Sequence, residues 1–153
     1  MIYAVKNSIV VFICCISLSA HAQNVQVNNS TNPTGTYKTH FNNPSNNKLP
    51  QGTIKVKLIA QNKVVLSLIM QNGEPLLRSG SLMDTLAYKN HLAIYKNAEI
   101  DTTCRITFHF ASKGIDVIQA SKAVDHNCDF ANGVNAEGFY YKESSQIPDF
   151  STY

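Results

Sequence analysis

The stretch "TTCRITFHF" (residues 102–110) alternates with period two. Cys104, Ile106, Phe108 and Phe110 fall on one face, and Thr103, Arg105, Thr107 and His109 fall on the other. A chain can bury one set and wet the other only as a strand of a sheet with a single covered face. "ASKG" and "IDVIQ" follow, so residues 101–119 read as an antiparallel hairpin, with Gly114 expected to supply the positive dihedral of its turn.

The same period recurs upstream. In "TIKVKLIA", Ile54, Val56 and Leu58 alternate with Lys55 and Lys57, and "QNK" separates this run from "VVLSLIM", which makes a second hairpin. "TYKTHF" (residues 36–41) is a short first strand, and "GFYYKE", opening at Gly138, is a last one. Residues 76–100 are the ambiguous part. "LAIYK" alternates and no helix cap is evident, so two short strands around Lys89-Asn90 are expected, with a helical turn in "LMDTLAYK" as the alternative.

Seven or eight short strands without βαβ alternation indicate an all-β fold, either a sandwich or a closed barrel. The barrel is preferred because it removes exposed edges. It also lets "GTYK" (35–38) pair with "GFYYK" (138–142). The expectation is a small antiparallel β-barrel of about eight strands with one disulfide.

The chain begins with Lys6, an apolar stretch "SIVVFICCISLSA" and the small-x-small triplet Ala20-His21-Ala22, the pattern of an export signal ending at residue 22. This stretch is shorter than the roughly 20 apolar residues of a membrane span. Bulky Val11, Phe12 and Ile13 before Cys14 and Cys15 argue against a lipid anchor. Residues 23–34 form a polar, asparagine-rich leader, and 35–153 the barrel domain. A periplasmic or secreted location follows.

Losing Lys6 alone takes the net charge from +3 to +2. That is too little to argue for nucleic acid, and no membrane insertion is expected after signal cleavage. Cys104 and Cys128 remain, in a compartment where disulfides persist. They are expected to be bonded, closing a loop worth about 3 kcal/mol in the chain-entropy picture; a free reactive thiol is the alternative.

"CRITFHF", "IDVIQ" and the tract C-x-F-x-x-G-V-x-A-x-G-x-Y (residues 128–140) resemble the C-terminal half of a class of small exported bacterial β proteins without assigned activity. That resemblance implies the Cys104–Cys128 pairing, a final barrel strand and export, and it names no catalytic residue. The overall plan is also similar to that of the periplasmic lysozyme inhibitors. Those insert a loop carrying S-G-S-G-x-x-Y into the enzyme's cleft. This chain has Ser79-Gly80-Ser81 but then Leu82, and its tyrosine, Tyr88, comes late.

An enzyme is not expected, and neither a catalytic residue, a cofactor nor a metal site is assigned. His40, His91, His109 and His126 stand in no metal-ligand spacing. His126, beside Asp125 and Asp129, is the least implausible general base. No nucleophile elbow or phosphate loop occurs, and the carboxylates form no close apolar-flanked pair.

The expected function is an exported protein-binding module, an inhibitor or immunity-type partner of an envelope hydrolase such as lysozyme. Its contacts are placed on two loops: Arg78, Ser79 and Ser81, and Asp129, Asn132, Asn135 and Glu137. The alternatives are a lipocalin-like carrier of a small apolar ligand, which needs an open interior, and an envelope protein without inhibitory role. Oligomeric state is not legible in the sequence.

Overall fold

The computed structural model describes residues 32–39, 50–75, 77–99, 102–121 and 127–151. The expected export signal and nearly all of the polar leader lie outside these residues.

The chain forms an eight-stranded closed antiparallel barrel in simple sequence order. Its strands are β1 (Gly35–Thr39), β2 (Gln51–Ala60), β3 (Lys63–Gln71), β4 (Ser79–Lys89), β5 (Leu92–Lys96), β6 (Arg105–Ala111), β7 (Gly114–Ala120) and β8 (Gly138–Ser144). There is no α-helix among the described residues, only a 3₁₀ turn at Asn127–Asp129. β8 closes on β1 with Tyr37 opposite Lys142 and Thr39 opposite Tyr140, so the first and last strands meet as expected, but the antiparallel pairing puts Gly35 beside Ser144 and Gly138 at the other end of β8.

Alternation decides what fills the interior. Ile54 and Val56, then Val64, Leu66, Leu68 and Met70, then Ile106, Phe108 and Phe110 all point inward and are buried. Tyr37, Tyr88, Ile115, Val117 and Tyr140 complete the packing. Two inward glycines make room for aromatic rings. A Cβ on Gly52 would meet the Tyr140 ring at 2.6 Å, and one on Gly80 would meet the Phe130 ring at 2.6 Å. Within so narrow a barrel, a large side chain needs a vacancy opposite it.

Two expectations are corrected. Gly114 is not at a positive dihedral. It is the first residue of β7, where a Cβ would collide with the Tyr140 carbonyl and the Phe139 ring of β8, so close approach rather than turn geometry selects it. In residues 76–100 the strands hold, but β4 is a long strand of 11 residues. The turn is Asn90-His91, with φ of 52° and 60°, the paired left-handed geometry of a type I′ hairpin.

One seam of the wall is thin. β4 pairs with β3 from Lys63↔Ala87 to Gln71↔Ser79, but with β5 only at Tyr88↔Ala93 and Lys89↔Leu92. Beyond that point the two strands diverge toward the end of the barrel that carries the long connections.

A pinned two-faced loop as candidate recognition site

All the long connections emerge at one end of the barrel, and the turns of two residues at the other. At the loop end, the connection between β7 and β8 runs back across the mouth. Its burial alternates: Cys128, Phe130, Val134 and Ala136 are buried, while Asp129, Asn132, Asn135 and Glu137 are exposed. The buried set anchors the loop. Cys128 is bonded to Cys104 across a Cα separation of 5.0 Å. Phe130 lies against Gly80, and Ala136 accepts a hydrogen bond from the buried Tyr140 hydroxyl at 2.9 Å, which also lies 2.7 Å from the Met70 sulfur.

Backbone geometry keeps the loop sharp. Cys128 and Asp129 are left-handed, with φ of 58° and 68°, and Gly133 has φ of 80°, a conformation in which glycine carries no Cβ penalty. The Ala136 amide donates to Gln119 Oε1 at 2.8 Å, and the Glu137 amide to Asn135 Oδ1 at 2.9 Å.

The connection from β3 to β4 comes alongside. The Asn72 amide donates to the Arg78 carbonyl at 2.7 Å, closing that loop on itself. Arg78 Nη1 donates to the Asn132 carbonyl at 2.8 Å, and Asn72 Nδ2 donates to the Gly133 carbonyl at 2.9 Å. The structure thus brings the two candidate segments into one surface. Arg78 and Asn132 are in direct contact. Ser79 and Ser81 are exposed on either side of buried Gly80, Ser81 on the outer wall opposite Ile69. Asn135 and Glu137 lie further along, where the loop enters β8.

Asp129 has different neighbours from the rest. Tyr95, inward on β5, has its phenol held above the ordinary tyrosine range by burial, opposed by a hydrogen bond with Asn97 and reinforced by the carboxylates of Asp84 and Asp129. Asp84 is itself in the inward phase of β4, between buried Leu82 and Leu86, yet it is exposed. It marks an opening in the wall.

Sequence reading missed four residues of this region. Asn72 was legible only as part of an Asn-Gly turn, and Phe130 only as a position of the C-x-F-x-x-G tract, with nothing to say that it packs on Gly80. Leu77, exposed at the loop rim with φ of 40°, gave none. Asp84 did carry one, because a charge interrupts the run Gly80, Leu82, Leu86, Tyr88 at an inward position.

The two histidines among the described residues, His91 and His109, lie apart. His109 is exposed on the outer face of β6 as expected, and His91 sits in a turn at the opposite end of the barrel, its Nδ1 3.5 Å from the Tyr88 hydroxyl. His40, His126 and Asp125 lie outside the described residues. Among the described residues no group of three or more His, Cys, Asp or Glu side chains could hold a metal. No helix among them is long and apolar enough to cross a membrane.

The interior leaves little room for cargo, since Phe108, Leu66, Leu68 and Tyr140 are fully buried within it. An open depression of about 550 Å³ lies elsewhere, at the turn end, against Ser112, Lys113 and the end of β8. Comparison with family models, curated proteins and solved structures gives no match for this chain.

Proposed function

We propose that the protein is an exported protein-binding module whose loop end is its recognition face, acting in the periplasm or outside the cell as an inhibitor or immunity-type partner of an envelope hydrolase such as a lysozyme. The observation that carries this reading is the two-faced loop of residues 128–137. Its anchors Cys128, Phe130, Val134 and Ala136 are buried, so Asp129, Asn132, Asn135 and Glu137 are offered to solvent on a pinned backbone. Ordering a loop before binding removes an entropic cost of association, which is how preorganised inhibitors gain affinity. Ser79 and Ser81, expected on a loop, are instead the first residues of β4 flanking buried Gly80, so their part in the recognition face is that of an exposed strand end beside the loop. The disulfide is compatible with export, and the filled interior favours surface recognition over carriage of a ligand.

The test is capture of partners by oxidised residues 23–153 from envelope and host-secretion extracts, with muramidase inhibition measured on the same sample. The reading expects saturable capture that falls at least tenfold in Arg78→Ala with Ser79→Ala and Ser81→Ala. An apolar ligand that copurifies, with no protein retained, would replace it with the carrier.

A further inference from the structure

We propose that the open edge of β4 takes an extended, basic segment of a partner protein as an added strand, with one cationic side chain of that segment entering the opening between Asp84, Tyr95 and Asp129.

The argument begins with the hydrogen bonds of β4. Asn90-His91 is a two-residue hairpin, so its flanking residues Lys89 and Leu92 form the hydrogen-bonded pair, and odd-numbered residues of β4 turn their amides toward β5. Even-numbered residues turn theirs toward β3, as the Tyr88 amide does in donating to the Asn62 carbonyl at 2.8 Å. The β5 ladder stops at Tyr88↔Ala93, so Ser81, Met83 and Thr85 face β5 without a ladder partner among the described residues. A backbone amide seeks an acceptor wherever it lies. The Thr85 amide finds one in its neighbour, donating to Asp84 Oδ1 at 2.6 Å. A side chain here occupies the place that a strand would take.

The edge is bounded by β5 and by the loop of residues 128–130. β5 diverges on one side, with Tyr95 inward. The loop of residues 128–130 closes the far end, with Phe130 on Gly80 and Cys128 tied to Cys104. What remains is a short open length of β4 with Met83 on its outer face at 49 % exposure. Strand addition uses main-chain bonds for affinity and side-chain pockets for choice of sequence.

Charge selects the occupant. Asp84 and Asp129 are both exposed. Asp84 and Tyr95 stand in the inward phases of β4 and β5 along the unpaired seam, and Asp129 stands between Cys128, tied to Cys104, and Phe130, which packs on Gly80 of β4. A lysine or arginine from the added strand would meet two carboxylates there, whereas an acidic segment would be repelled.

This inference rests on the protein-recognition reading and deepens it by naming the partner's conformation and charge. The test is amide chemical-shift mapping on the oxidised chain purified from the envelope of an expressing bacterium. The probe is a short alternating valine–lysine peptide, run against its valine–glutamate counterpart and a proline-interrupted version. The expected result is shifts centred on Ser81, Met83 and Thr85 with the lysine peptide alone, and at least tenfold weaker binding in Asp84→Lys. An Asp84→Asn control that keeps an acceptor for the Thr85 amide should weaken binding by a smaller factor and leave the remaining spectrum unchanged, which separates charge from misfolding. Absence of shifts on β4, equal binding of the glutamate peptide, or indifference to Asp84→Lys would overturn it. Capture of a natural partner through Arg78 without any change at β4 would overturn this inference and leave the loop-end reading standing.

Discussion

At the turn end of the barrel, the chain reverses at Gln61-Asn62, Asn90-His91 and Ser112-Lys113, and the Asn62, His91 and Lys113 carbonyls each accept a backbone hydrogen bond, from the Tyr88, Phe110 and Lys142 amides. At the loop end, side chains hold the described parts of the β3–β4 and β7–β8 connections: a disulfide, an aromatic ring seated over a glycine, and hydrogen bonds from Arg78, Asn72 and Tyr140 to loop carbonyls. The difference teaches where sequence can vary. A turn of two residues offers few side chains and little adjustable surface, whereas a pinned loop can exchange its exposed residues while its buried ones keep its shape.

The largest expected effect is that of Phe130→Ala. It leaves a cavity over Gly80 and should destabilise by about 3–4 kcal/mol, seen as a lower denaturant midpoint. Amide exchange should rise across residues 127–137 and leave the three turns unchanged. Uniform loss of protection would dissolve the distinction between the ends.

Replacing both cysteines, Cys104→Ser with Cys128→Ser, should cost about 3 kcal/mol. Here too exchange should rise first at the loop end. A variant as protected there as the native chain would mean that Phe130 and the hydrogen bonds alone hold the loop.

Alkali should strike both ends together. Burial, with Tyr88 nearby, raises the Tyr37 phenol well above the ordinary tyrosine range, and burial likewise raises Tyr140. Tyr37 lies on β1 with its hydroxyl donating to the Pro33 carbonyl at 2.7 Å, and Tyr140 lies under the loop. With the folded pKa above the unfolded one, the stabilisation is complete below about pH 10 and is lost as pH rises beyond it, because the unfolded tyrosines ionise first. Phenolate absorbance should therefore appear together with unfolding. Ionisation within an intact barrel would contradict this.

Tyr140→Phe removes only the hydroxyl and should cost about 1 kcal/mol, with local loosening near Ala136. The smallest effect is expected at the turn end. His91→Gly relieves a left-handed side-chain residue and should raise stability by about 0.5 kcal/mol, the relief of αL strain exceeding glycine's entropy in the unfolded chain. A loss instead would show that the His91 ring contributes through Tyr88.

Much of the barrel was legible because alternation is a local property. Ile54, Val56, Phe108 and Phe110 declare their faces without reference to any distant residue. The pairing of β1 with β8 was legible for a different reason, since closure is the general way to remove two edges. The loop-end surface was legible only in pieces. Arg78 and Asn132 could each be named as exposed polar loop residues, but that one donates to the other's carbonyl depends on how the barrel's strand order brings their loops together. Gly80 and Phe130 meet for the same reason, and neither sequence neighbourhood indicates it. The incomplete β4–β5 seam is foreshadowed by Asp84, whose charge falls at an inward position of β4.

The most direct test of the loop end as the recognition face is amide exchange on the oxidised protein with and without a captured partner. New protection confined to residues 77–81 and 128–137, with an adjoining stretch of β4 if a strand is added, is the result predicted. New protection centred on Gln61-Asn62, Asn90-His91 and Ser112-Lys113, with the loop end unchanged, would place recognition at the opposite end and contradict the account.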